Sequence, residues 1–177
     1  IPVAVKRMSP ALAVSDSARA RFEREAKAAA RLSSPHVVEV YDYGVEDDAP
    51  YIVMELLEGQ DLAGRLETMG RLGVTETADV VEQIAKALDV AHGMGVVHRD
   101  LKPANVFLAR KGQDEVVKVL DFGIAKLHAD TSAGTLPGTL IGSPGYMSPE
   151  QARGDANVDH RSDLWALAVL AFRCATG

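Results

Sequence analysis

Between Val96 and Asn105 the chain reads Val-Val-His-Arg-Asp-Leu-Lys-Pro-Ala-Asn, and this stretch limits the fold more than any other. His98, Arg99, Asp100, Lys102 and Asn105 fall within eight residues. Neither a core strand nor a core helix can take them, because each buried polar group without a partner costs about 2 to 7 kcal/mol. The stretch therefore reads as a loop that concentrates chemistry-bearing groups, and the segments around it as the scaffold that holds it.

With 177 residues, 47% of them hydrophobic, the chain can build one good core or two small lobes sharing an interface. Its formal net charge of -6 leaves no basic footprint, so no nucleic-acid partner is expected. Cys174 is the single cysteine, which excludes an internal disulfide framework. Within its apolar run it reads as a buried, inert thiol, and the chain as that of an intracellular protein. The longest apolar run, Leu164 to Phe172, is nine residues. About 20 are needed to span a bilayer, so no membrane contact is expected of this segment. Both ends read as cut: an alternating strand begins without a lead-in, and Arg-Cys-Ala-Thr-Gly stops at a helix C-cap. A fragment is the expectation.

In chain order, Ile1, Val3 and Val5 alternate with Pro2, Ala4 and Lys6, the period of a strand whose valines face a core and whose Lys6 faces away. From Asp16 to Leu32 a helical stripe runs through Phe22, Glu25, Ala29 and Leu32. Glu25 on an apolar stripe is either exposed at its edge or paired with a cation, for which Lys6 is the candidate. Val37 to Tyr43 and Tyr51 to Leu57 read as strands joined by the acidic turn Glu46-Asp47-Asp48. The glycine-containing link Leu57-Glu58-Gly59-Gln60-Asp61 marks a lobe boundary, dividing the chain into 1–57 and 58–177. A helix is expected from near Leu62, and a longer one, capped by Thr75, through His92. Val106 to Leu108 and Val116 to Leu120 form a hairpin that delivers Asp121-Phe122-Gly123. An Asp before a Gly is usually a turn residue. Across that hairpin from Asn105, however, Asp121 offers a second oxygen donor to one volume, as a magnesium ion held against phosphates requires. Residues 125–140 are rich in Thr, Ser, Gly and Ala and read as a mobile loop. Asp163 then precedes a helix that is apolar all round and so expected at the centre of the larger lobe.

Taken in order, Val3-Ala4-Val5-Lys6, Glu25, His98 to Asn105, Asp121-Phe122-Gly123 and Ser148-Pro149-Glu150 resemble the protein-kinase signature set over essentially the whole chain. The wording Tyr-Ile-Val-Met-Glu and Gly-Ser-Pro-Gly-Tyr-Met-Ser-Pro-Glu-Gln is most similar to the bacterial, eukaryotic-type (Hanks-type) serine/threonine kinases. The resemblance implies an α+β, two-lobed fold, a small β-rich N-lobe and a mainly helical C-lobe, both incomplete. It implies transfer of the γ-phosphate of ATP, with Mg2+ or Mn2+, to Ser/Thr hydroxyls of protein substrates. Asp100 is implied as base, Lys102 as charge neutraliser, Lys6 as holder of the α and β phosphates oriented by Glu25, and Asn105 and Asp121 as metal ligands. Ala4, Met54 and Phe107 would line the adenine slot, the backbone of Glu55 and Leu57 would meet the adenine edge, and Asp61 would sit near the ribose. Arg99 would pair with a phosphate on Thr131, Ser132, Thr135 or Thr139, and the Ser143 hydroxyl would bond to the catalytic Asp and Lys. His98 reads as structural. A cytoplasmic location and a dimer for autophosphorylation are further implications.

The sequence departs from the family's pattern in places. Ser148 replaces the usual Ala, Ala168 replaces a common Gly, and no Gly-x-Gly-x-x-Gly loop occurs, since the third position after Gly93 and Gly95 is His98. Two other readings remain: a truncated or pseudokinase-type scaffold without activity, and a small-molecule phosphotransferase. The second generally lacks the equivalents of Lys102 and of the Ser-Pro-Glu segment.

Overall fold

Residues 2–10, 15–112, 114–122, 144–155 and 157–177 are described by the structure, a computed structural model. Strand β1 (Val3–Arg7) pairs antiparallel with β3 (Ala49–Glu55), whose other edge carries β2 (Val40–Glu46), giving the order β1-β3-β2. Asp47 and Asp48, both at positive φ (49° and 58°), make the tight β2–β3 turn. The two strands begin and end a few residues away from the sequence reading. Residues 37 and 38 serve a different sheet, as described below.

Helix α1 (Asp16–Ala29) is capped by the Ser15 hydroxyl, which accepts from the Ala18 N–H at 3.2 Å. Its buried face is Phe22, Ala26 and Ala29, and Phe22 and Ala26 pack with Met8 and Ile52 into a small core. That core overturns the expected facing of β1. Val3 and Val5 are 43% and 59% exposed, whereas Ala4 and Lys6 are half-buried. The reason lies in the register: Lys6 is opposite Ile52 and Ala4 opposite Met54, so these residues share the face of buried Met8. Directly opposed residues in an antiparallel pair point to the same side of the sheet. The valines therefore take the outer face.

The second sheet has the order β4-β5-β6, from Gly59–Asp61, Val106–Lys111 and Asp114–Val119. The β5–β6 hairpin matches expectation, and β4 is a strand where only a link is expected. Gly59 sits there at φ +140°, and a side chain at that position would meet the Leu108 carbonyl at 2.1 Å, so only glycine admits the close pairing. Asp61 caps α2 (Leu62–Met69), its carboxylate accepting from the Gly64 N–H at 2.8 Å. Helix α3 (Val74–Gly93) starts one residue before Thr75 and is capped by Gly73 instead, whose carbonyl already accepts from the Thr77 N–H at 2.8 Å. Its apolar face is Val80, Ile84, Ala87, Leu88 and Ala91.

A short helix α4 (Pro149–Arg153) precedes α5 (Arg161–Thr176). Against expectation, α5 buries one stripe: Ala166, Leu170 and Cys174, four residues apart, meet the main core, while Leu164, Trp165 and Phe172 are exposed. Among the described residues no helix is long and apolar enough to cross a membrane.

Cys174 is fully buried, as the sequence implies, and that burial pushes its thiol up to about 11. A thiol kept protonated and out of solvent is a poor nucleophile. Alkylation at pH 8 is expected to leave Cys174 unmodified in the folded protein and to modify it fully in denaturant. Stoichiometric labelling under native conditions would contradict this packing.

Candidate active site

Helix α3 ends at Gly93, and Gly95 at φ +74° turns the chain toward the polar loop. The loop is suspended from Asp163, a carboxylate only 1% exposed at the start of α5. Asp163 Oδ2 accepts from the His98 N–H at 2.8 Å, Oδ1 accepts from the Arg99 N–H at 2.8 Å, and His92 Nε2 donates to Oδ2 at 2.7 Å. Because an ionised carboxylate can only accept, the His92 proton resides on Nε2. A buried carboxylate tolerates its desolvation when several donors converge on it in this way.

His98 is fully buried with its edge on Phe122, at 4.8 Å between ring centroids. Its Nδ1 accepts from the Asp100 N–H at 3.2 Å, which places the ring proton on Nε2 for the Leu120 carbonyl at 2.8 Å. It ties the loop to the end of β6 and presents no free nitrogen, a structural part as expected. Arg99 and Asp121 both adopt positive φ, 68° and 61°. Each such residue costs on the order of 1 to 3 kcal/mol and is kept where surrounding bonds over-determine it.

Asp100 follows the strained Arg99. Lys102 Nζ donates to its Oδ2 at 2.7 Å, and Asn105 Nδ2 donates to the same oxygen at 3.2 Å and to the Asp100 carbonyl at 2.8 Å. Its Oδ1 has no donor among the described residues. Asn105 ends a 3-10 turn (Pro103–Asn105), and its carbonyl accepts from the Leu120 N–H at 2.9 Å, so Asn105 and Asp121 lie at adjacent ends of the β5–β6 hairpin.

The expected Lys6–Glu25 pair is not the one observed. Lys6 Nζ lies 2.5 Å from Asp121 Oδ2, and Glu25 is reached by its neighbour Arg24 at 3.5 Å. Lys6 leaves β1 on its inner face, and the left-handed Asp121 turns its carboxylate to meet it there. Ala4 and Met54 are register partners, and Phe107 sits opposite Lys118 on β5, all three half-buried. The Glu55 N–H is committed to the Glu39 carbonyl at 3.0 Å. Leu57 is half-buried between the two sheets' strands, and one Asp61 oxygen is used by the α2 cap. Gly123, Thr131, Ser132, Thr135, Thr139 and Ser143 lie outside the described residues.

Three features carry no role in the sequence reading. Asp163 and His92 are one: a carboxylate opening an apolar helix is the signal that could have drawn attention to it. The second is Lys118, which donates to Glu55 Oε1 at 2.5 Å and to the Val37 carbonyl at 3.3 Å, while Glu55 Oε1 also accepts from the Glu39 N–H at 2.8 Å. With the Val37–Val119 bridge, this pair ties β3 and the lead into β2 to β6. The third is the Ser148–Gln151 capping box, with the Ser148 hydroxyl donating to Ser162 at 3.0 Å. Ser162 in turn donates to Glu150 Oε1 at 2.6 Å and so holds that carboxyl below the usual range.

The family model described as the protein kinase domain matches residues 1–177. A serine/threonine-protein kinase, pkn3 of Myxococcus xanthus, is 48% identical over 89% of this chain and 30% of its own length. A probable serine/threonine-protein kinase PknB of Bifidobacterium longum is 41% identical over 99% of this chain and 26% of its own. The chain thus spans less than a third of these curated relatives. Among solved structures, the Mycobacterium tuberculosis PknI kinase domain superposes with a TM-score of 0.78 at 37% identity, covering 98% of this chain and 64% of that one.

Removing the Asp163 carboxylate strands the buried His98 N–H and the partly buried His92 and Arg99 donors. Breaking a buried charged network by deleting one partner costs about 3 to 5 kcal/mol. Urea unfolding of Asp163→Ala is expected to show a loss of that size, and a loss below 1 kcal/mol would show that the loop holds its shape without this anchor.

Proposed function

The chain belongs to the protein kinase domain family, and on that premise we propose that it carries the transfer of the γ-phosphate of ATP to serine or threonine hydroxyls of protein substrates. The observation that carries the reading is the Asp100 carboxylate. One of its oxygens is held by Lys102 and Asn105, its backbone follows a peptide pinned by Asp163, and its Oδ1 is open to a hydroxyl. Such a group accepts the hydroxyl proton as the nucleophile attacks, a role worth about 10²- to 10⁴-fold in rate. Lys102, beside Asp100, offsets negative charge on the transferring group and favours Ser/Thr substrates by its position two residues after the base.

The residues present fit a divalent cation and a nucleotide. Asn105 spends its amide N–H groups on Asp100, which leaves its Oδ1 as a neutral oxygen donor, and Asp121 Oδ1 is a charged one on the neighbouring strand end. Two hard oxygen donors with room for waters and phosphate oxygens suit Mg2+ or Mn2+, which when bound neutralises phosphate charge. Lys6 would hold phosphate oxygens, with Glu25 orienting it. Ala4, Met54 and Phe107, with the backbone of Glu55 and Leu57 and with Asp61, would receive the nucleoside. We place the division of lobes between residues 57 and 58, and the setting in the cytoplasm.

Arg99 supports a regulatory reading. Among the described residues its Nε is buried without a partner and its Nη2 reaches only the Val158 carbonyl, at 3.5 Å, which supports Arg99 as the donor to a phosphate on Thr131, Ser132, Thr135 or Thr139. Ser143 would bond to the Asp100–Lys102 pair, and one copy of the chain phosphorylating another would supply the modification.

The test is phosphate transfer from labelled ATP to myelin basic protein by the full-length protein that contains this chain. Asp100→Asn, which keeps the shape, is expected to lose at least about 100-fold in rate. Equal activity in that variant would overturn the assignment, and a wild-type protein without activity would favour a scaffold. Mass spectrometry of the active protein is expected to find phosphate on at least one of the four loop hydroxyls, and an unmodified loop in fully active protein would remove the role given to Arg99.

A further inference from the structure

We propose that Gln151 is a positioning residue for the catalytic base, fixing the peptide group that joins Arg99 to Asp100. This inference rests on Asp100 being the base. The Gln151 side chain leaves the first turn of α4 and its Nε2 donates to the Arg99 carbonyl at 2.7 Å. Its Oε1 accepts from the Ser148 N–H at 3.2 Å. A carbonyl can only accept and a backbone N–H can only donate, so these two partners fix the orientation of the amide.

The bonded carbonyl belongs to a residue at φ +68°, a conformation that L side chains adopt at a cost. Arg99 is gripped at both ends: its N–H is held by Asp163 Oδ1 at 2.8 Å and its C=O by Gln151. The Arg99 C=O and the Asp100 N–H share one rigid peptide plane. That N–H is itself spent on His98 Nδ1 at 3.2 Å. Releasing the carbonyl lets the plane rotate toward an unstrained φ and carries the Asp100 Cα with it, away from the place where Lys102 and Asn105 meet its carboxylate. Displacements of about 1 Å in a reacting group cost on the order of 10²-fold in rate. Gln151 also couples the segment Ser148–Glu150 to the base, so the order of one depends on the other.

A bland account of Gln151 is that it only completes the helix cap, and two substitutions separate the accounts. Gln151→Glu keeps the capping acceptor, since Glu serves as well as Gln at this place in a capping box, but removes the donor. Gln151→Met keeps the volume and adds no charge, and removes both. In the full-length protein both are expected to lower kcat by about 10- to 100-fold with KM for ATP within about twofold, and Gln151→Glu is expected to keep the thermal midpoint of the wild type. A kcat for Gln151→Glu within twofold of wild type overturns the proposal. So does a loss confined to one variant, because loss in Glu alone is a charge effect and loss in Met alone is a capping effect. If Gln151→Met does not fold, Gln151→Leu, likewise uncharged and without a donor, takes its place under the same criteria. Asp100→Asn run alongside tells the two failures apart. An inactive Asp100→Asn with a normal Gln151→Glu defeats the positioning role alone, whereas an active Asp100→Asn defeats the base itself.

Discussion

The buried carboxylate of Asp163 is the interaction on which the loop depends. A polar loop between a long helix and a hairpin has many conformations, and fixing each residue costs about 1 to 2 kcal/mol of backbone entropy. Asp163 meets that cost where it matters, holding two consecutive N–H groups and a histidine from inside the core. The strain at Arg99 is the complement of this anchor, because both the N–H and C=O of that residue are held by side chains of later elements. Helix α5 is thus more than core filler. Its buried stripe of Ala166, Leu170 and Cys174 seats it against α3, and that seating sets the height of Asp163 beneath the loop.

Much of this was legible in the residues. The density of polar groups from His98 to Asn105 excluded a core element, and the hairpin pattern placed Asn105 and Asp121 at neighbouring strand ends, as the β5–β6 register has it. The helix expected from Asp16 to Leu32 followed from its stripe, though it ends three residues earlier, at Ala29. What was not legible depended on long-range geometry. Period 2 in β1 showed two faces but not which was covered, and that choice was made by Met8, two residues beyond the strand's Lys6, packing on Phe22. The same register put Lys6 next to Asp121 instead of Glu25. Asp163 and Gln151 carry no local signature of their distant partners, which lie 64, 65 and 71 positions away for Asp163 and 52 for Gln151. A hydrogen bond across such a separation is a property of the packed elements.

The two sheets are joined by polar contacts as well as by chain. Lys118 reaches Glu55 and the Val37 carbonyl, Val119 bridges Val37, and His36 Nδ1 lies 3.2 Å from the Val117 carbonyl. These bonds run from β6, just before Asp121, to Glu55 at the end of β3 and to the segment that leads into β2. A displacement of β3 relative to β6 has to break or carry the Lys118–Glu55 pair, which is 16% and 20% exposed and so screened less than a surface pair.

Burial separates the contacts that stay from those that can exchange. The Lys6–Asp121 pair is 41% and 22% exposed, and ion pairs in contact with water contribute only about 0 to 1 kcal/mol. Its loss in favour of another partner for Lys6, the half-buried Glu25 included, therefore costs the fold little. Asp163, at 1% exposure with three donors, has no such freedom. The phosphate transfer proposed for the site would need both kinds of contact: a base whose peptide does not move, and a lysine and a carboxylate free to trade one another for phosphate and metal. Had Lys6 and Asp121 been buried as deeply as Asp163, parting them would leave uncompensated charge in the core at a cost of several kcal/mol. Their half-exposed placement at the rim, between β1 and the end of β6, keeps that exchange cheap while the loop beneath them is held from the core.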